Sequence, residues 1–244
     1  MKQPKEYIIF PLDVPTAEQA RHLVSLLHAH VGMFKVGLEL FIRTGPALLE
    51  WIGARARGGI FLDLKLHDIP ETVRRAVRAI TDFNVALTTV HCGESRAMLE
   101  AAVEGSQGKV RVLGVTVLTS IAAADLRTSG YSAQMADDVG RLVLHKAAMA
   151  QAAGCSGVVC SGHEAAGIKA RFDPAFLAVT PGIRLAGDNG QDDQQRIMTP
   201  ALAIAQGADY LVIGRPIRDA ADPVAAAEGI AREIGDAFAR SDAS

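Results

Sequence analysis

Eight short apolar runs, each followed by a stretch of helical periodicity, restrict what this 244-residue chain can fold into. The runs are "YIIFPLDV" from residue 7, "MFKVGLEL" from 33, "GIFLDLK" from 59, "LTTVHCG" from 87, "VRVLGVTVL" from 110, "SGVVCSG" from 156, "FLAVTPG" from 176 and "DYLVIGRPI" from 209. Most are continuously apolar rather than alternating, as strands are when both of their faces are covered. Between them the helices have readable ends and stripes. Thr16 and Gln19 have capping-box spacing ahead of Leu23, Val24 and Leu27, and Val73, Ala76, Val77 and Ile80 repeat at helical intervals. Asp222 followed by Pro223 opens a last helix striped by Ile230, Ile234 and Phe238. Strand and helix alternating eight times predict an α/β fold, a (β/α)8 TIM barrel, with residues 1–244 forming a single domain. An open doubly wound sheet is the alternative, but no G-x-G-x-x-G follows the first strand. The one long polar connection, "RLAGDNGQDDQQR" at 184–196, has the length and composition of a functional lid.

Composition narrows the function classes. Lys and Arg number 25 against 27 Asp and Glu, and no basic block forms the stripe that nucleic acid or an anionic membrane surface requires. The N-terminus lacks an apolar segment of signal-peptide length, and no run approaches 18 apolar residues, so a cytoplasmic protein is expected. Cys92, Cys155 and Cys160 are odd in number and have no C-x-x-C spacing. They read as reduced core thiols.

Enzymes built on this barrel keep their chemistry at the C-terminal ends of the strands, and four of those ends are charged. Asp13 closes the first strand, Lys35 lies in the second, Asp63 and Lys65 close the third, and Arg215 follows Gly214 after the eighth. Strand residues two apart face the same side, so Asp63 and Lys65 share a face with Phe61, while Leu62 and Leu64 take the other. That arrangement turns the charged pair into the barrel mouth, where Lys35 on the next strand reaches the same layer. Asp68, just before Ile69 and Pro70, falls on the loop beyond the strand. Burying charges costs several kcal/mol per ion unless they are paired. One structural ion pair accounts for Asp63 and Lys65 alone, but not for Asp13, Lys35 and Asp68 at the same mouth. His67 and His91 read as structural hydrogen-bonding residues, since neither has a second ligand at metal-binding spacing, and Phe41 and Trp51 read as helix-face packing.

"DLKLHDIPETV", with "KVGLEL" upstream and "VTPGIR" and "VIGRPI" downstream, resembles the orotidine 5′-phosphate decarboxylase family over essentially the whole chain. The resemblance implies an alternating array of Lys35, Asp63, Lys65 and Asp68 as the catalytic group. It further implies that Asp68, Ile69 and Thr72 reach across a homodimer interface into the partner's site, that Asp13 holds ribose hydroxyls, and that Thr119 contacts the pyrimidine. Arg184, Gln194, the Gly214 amide and Arg215 are placed around the substrate phosphate, with Gln191 and Gln195 able to exchange roles with Gln194, and Pro181 is a further substrate-binding residue. A backbone N–H ahead of a short helix, together with guanidinium forks, suits a phosphate independently of the resemblance.

The implied substrate is orotidine 5′-monophosphate. Loss of CO2 from C6 leaves an electron pair in the ring plane, which cannot delocalise into the carbonyls, so no cofactor and no metal are expected. The ammonium of Lys65 is the candidate both to stabilise that charge and to protonate it. Two other readings remain. A Mg²⁺-dependent phosphosugar decarboxylase or aldolase on the same barrel would want an acidic ligand where Lys35 stands, with Glu39 only four residues on, and a non-catalytic phosphate-ester binding protein would not need the lysines and aspartates.

Overall fold

Apolar residues on both sides of each run make strands that need cover on both faces, which a closed sheet wrapped by helices provides. The computed structural model, which describes residues 2–93, 95–185 and 198–241, has this form. The strands are β1 (Ile8–Pro11), β2 (Met33–Gly37), β3 (Ile60–Leu66), β4 (Val85–His91), β5 (Arg111–Val115), β6 (Gly157–Val159), β7 (Leu177–Thr180) and β8 (Tyr210–Val212). They pair in parallel in sequence order, and β8 closes on β1, with Ile9 opposite Val212.

Helix α1 (Ala17–Leu27) follows β1, capped by the Thr16 hydroxyl accepting from the Gln19 N–H. Two helices follow β2, α2 (Leu38–Thr44) and α3 (Pro46–Gly53), broken where Gly45 takes φ +60° ahead of Pro46. Next come α4 (Pro70–Ile80) after β3 and α5 (Arg96–Ser106) after β4. The long connection after β5 holds α6 (Ala123–Thr128), α7 (Ala133–Ala136) and α8 (Val139–Ala152). The remaining helices are α9 (Gly162–Arg171), α10 (Pro200–Ala205), the four-residue α11 (Arg215–Arg218) and α12 (Pro223–Ser241). Asp222 accepts from the N–H groups of Val224 and Ala225 at the start of α12, whose Ile230 and Ile234 are buried.

Two apolar layers result. Ile9, Met33, Phe61, Leu87, Leu113, Val179 and Tyr210 fill the barrel, while Ile8, Phe10, Phe34, Val36 and Leu62 join the larger layer between strands and helices. Each fully buried side chain of this size contributes about 1.5–3 kcal/mol, which is what fixes the strand register. The same register decides which residues reach the C-terminal mouth. Residues Gln191, Gln194 and Gln195, with most of the polar connection at 184–196, lie outside the described residues.

Candidate active site

Above the layer that contains Phe61, the inward positions change from apolar to charged. Asp63 is 8% exposed and sits at the floor of a cavity of about 300 Å³ at the C-terminal ends of the strands. Asp13, Lys35, Asp63, Lys65, Thr119, Pro181, Arg184, Gly214 and Arg215 all line this one cavity. Nine of the residues singled out from the sequence are thus gathered from β1, β2, β3, β5, β7 and β8 or the loops that follow them. Asp68, Ile69 and Thr72 are not among the lining residues. They are exposed, Asp68 and Ile69 on the β3–α4 connection and Thr72 in the first turn of α4, with Ile69 at 66% exposure.

The lysines and aspartates form a chain of alternating sign. Lys35 Nζ lies 3.1 Å from Asp13 Oδ1 and 3.7 Å from Asp63 Oδ2, and Lys65 Nζ lies 2.8 Å from the same Asp63 oxygen. Side-chain exposure falls from 57% at Asp13 to 10% at Asp63, so the chain runs from the rim into a dry floor. Opposite charges this close offset the loss of hydration that each would suffer alone.

Lys65 reaches its position by a route that simple alternation does not supply. Its backbone is left-handed, with φ +50°, and the β3–β4 register shifts between Leu62 and Leu66. Asp63 and Lys65 do meet at the mouth, as strand periodicity predicts, but a bulge brings them together rather than a regular strand. The buried Thr89 hydroxyl on β4 spans this bulge, accepting from the Lys65 N–H at 2.9 Å and donating to Asp63 Oδ1 at 2.9 Å.

The wall beyond Asp13, formed after β7 and β8, is cationic. Gly214 caps the N-terminus of α11, Arg215 is its first residue, and Arg184 stands just past β7. Arg218, which the sequence reading passed over, also lines the cavity; it pairs with Asp219 and donates from a terminal guanidinium nitrogen to the Asp13 carbonyl at 3.2 Å. The signal for it was its spacing, three residues from Arg215, which puts both guanidiniums on one side of a short helix. Arginine forks and a backbone N–H suit the dianion of a phosphate ester, and the alternating charges 2.8–3.7 Å apart suit a reaction in which charge develops at a carbon between them.

His67 and His91 lie near one another, with ring centroids 5.8 Å apart. Burial, and then the neighbouring His67, push His91 below the usual imidazole range. Glu39 is turned to Arg43 at 3.2 Å. Among the described residues, no three His, Cys, Asp or Glu side chains converge as a metal site would need. Trp51 packs under the Arg55 guanidinium, 3.9 Å from the ring centroid.

Comparison with known proteins gives one consistent answer. The model of the orotidine 5′-phosphate decarboxylase / HUMPS family matches residues 6–230. An orotidine 5′-phosphate decarboxylase from Desulfosudis oleivorans is 52% identical over 239 residues, covering 97% of this chain and 96% of that one. A second, from an Anaeromyxobacter species, is 47% identical over 94% of this chain and 98% of its own. Among solved structures, orotidine 5′-phosphate decarboxylase from Lactobacillus acidophilus superposes with a TM-score of 0.81 at 34% identity, covering 96% of this chain and 99% of the other.

Proposed function

The chain belongs to the orotidine 5′-phosphate decarboxylase / HUMPS family, and with that as premise we propose that its charged cavity converts orotidine 5′-monophosphate to uridine 5′-monophosphate. The activity is that of a carboxy-lyase in pyrimidine biosynthesis. The observation that carries the residue assignment is the alternating chain Asp13–Lys35–Asp63–Lys65, facing a wall that contains Gly214 and Arg215.

The phosphate docks between Arg184, Arg215 and the Gly214 N–H, Asp13 and Lys35 hold the ribose, and Thr119 and Pro181 border the pyrimidine. This places C6 over the Asp63–Lys65 pair. As the C6–carboxylate bond breaks, its electron pair stays on C6 in the ring plane and CO2 departs. The Lys65 ammonium stabilises that pair by charge and then transfers a proton to it, giving the C6–H bond of the product. Asp63 aims the Lys65 ammonium, and Lys35 lies against the same carboxylate. The grip on the phosphate is remote from the reacting carbon, so its binding energy is available to exclude water from the cavity.

We further propose a cytoplasmic homodimer that completes each site with Asp68, Ile69 and Thr72 of the partner. The support is their exposure off their own cavity, beside a neighbouring βα unit whose Leu38 and Ile42 are 50% and 78% exposed. Three reduced thiols fit the compartment, and among the described residues no helix is long and apolar enough to cross a membrane.

Lys65→Ala tests the assignment. Turnover, followed by the absorbance change as orotidine 5′-monophosphate is consumed, should fall by far more than about 100-fold, the lower end for loss of a single acid–base group. Binding of uridine 5′-monophosphate should persist, because its phosphate and ribose contacts lie elsewhere. A smaller fall would remove Lys65 as the proton donor.

A further inference from the structure

We propose that Thr89 is a positioning residue for the decarboxylation: its one hydroxyl locks the backbone of Lys65 and the carboxylate of Asp63 into the reacting geometry. The inference rests on the reading of Asp63 and Lys65 as the reacting pair and extends it to a side chain that lies beneath the cavity rather than among its lining residues.

The β3–β4 strand ladder is interrupted at the reacting pair. Leu62 pairs with Thr88 and Leu66 with Val90, so Asp63, Leu64 and Lys65 lie opposite Thr89 alone. A bulge of this size leaves β3 without regular partners on its β4 side, at the point where the charged side chains must be fixed, while Gly37 of β2 still pairs with Asp63 on the other. Lys65 also holds φ +50°, a conformation that a side chain other than glycine keeps only when its surroundings impose it.

Thr89 is fully buried, and its oxygen supplies what the ladder lacks. The hydroxyl has one proton. Asp63, as a carboxylate, can only accept, so that proton is directed to Asp63 Oδ1, and a lone pair remains for the Lys65 N–H. Fixing Oδ1 orients the carboxylate plane and leaves Oδ2 toward the ammonium groups of Lys65 and Lys35. Fixing the N–H sets the left-handed turn that carries the Lys65 side chain back over Asp63. Both ends of the reacting pair are therefore held by one atom. The adjacent Thr88 hydroxyl donates to the Leu62 carbonyl at 3.0 Å and secures the last regular rung below the bulge.

Thr89→Val keeps the shape of the side chain and removes both hydrogen bonds, whereas Thr89→Ser keeps the hydroxyl and removes only a methyl group. The expected result for Thr89→Val is a fall in kcat of roughly 30-fold or more, since two bonds are lost and one of them is to a charged group. Its KM, and its dissociation constant for uridine 5′-monophosphate, should stay within about threefold of the parent, because ground-state binding comes from the phosphate and ribose contacts. Thr89→Ser should restore kcat to within about fivefold of the parent. A role confined to packing would lower the melting temperature without this split, and would not be rescued by serine. The proposal is overturned if Thr89→Val keeps kcat within about threefold, or if Thr89→Ser falls as far as Thr89→Val. If Thr89→Val fails to bind uridine 5′-monophosphate, Thr89→Cys, whose thiol is a weak donor of similar size, is read against the same thresholds. Lys65→Ala assayed alongside separates the two levels of the argument. A fully active Lys65→Ala would sink the reading of the reacting pair, whereas an inactive Lys65→Ala beside a fully active Thr89→Val would sink the role of Thr89 alone.

Discussion

Arg215 is the first residue of a helix only four residues long, so its guanidinium stays at the cavity wall beside the Gly214 cap. Its replacement by alanine should cost about 2 kcal/mol or more in kcat/KM, roughly 30-fold, with part of the loss recovered by added guanidinium. An unchanged kcat/KM for Arg215→Ala would mean that the phosphate binds elsewhere. Single residues at this mouth were legible in the sequence where a charge interrupts an apolar strand, as at Lys35, Asp63 and Lys65. Arg218 was not, because an arginine next to Asp219 reads as a solvated surface pair. Nor was Thr89, since a threonine in a β-rich run is ordinary and only the bulge on the neighbouring strand gives its hydroxyl two tasks.

The eight strands were readable because each is apolar on both faces, a pattern that short surface strands do not show. The bulge in β3 was hidden, since "FLDLK" alternates well enough to pass for a regular strand. The three helices after β5 were hidden as well, because pieces as short as α7 depend on packing rather than on their own periodicity. Packing of α4 against α5 is close enough to test at this scale. A Cβ built on Gly105 would lie 2.3 Å from the Arg74 carbonyl oxygen, a backbone atom that cannot move without its helix. Alanine at this position gains about 1 kcal/mol in helix propensity. Overpacking costs about 1–3 kcal/mol in general, and here the obstacle is main chain, which places the cost at the upper end. The net loss of about 2 kcal/mol should lower the melting temperature of Gly105→Ala by roughly 4–8 °C, as scanning calorimetry would show. An increase would mean that α4 yields freely, and with it the Asp68 loop at its N-terminus.

For the whole molecule, the proposed sharing of sites between two copies makes a quantitative forecast. Lys65→Ala and Asp68→Asn homodimers should each be nearly inactive. After subunit exchange, half of randomly mixed dimers are hybrids in which one site carries both lesions and the other neither, so roughly a quarter of all sites should be intact. If mass spectrometry shows exchange and activity does not return, Asp68 serves its own chain. The layer between strands and helices bears on a different kind of chemistry. Cys92, Cys155 and Cys160 are all buried, and burial pushes the thiols of Cys92 and Cys155 up to about 12. Cys92 and Cys155 are neither accessible nor ionised in the folded protein, so an alkylating reagent can modify them only after the strands and helices over them part. Cys160, just past β6, borders the cavity but is itself only 1% exposed. The chain thus carries its own chemical clock, with two sulfurs timing the opening of the layer that wraps the barrel.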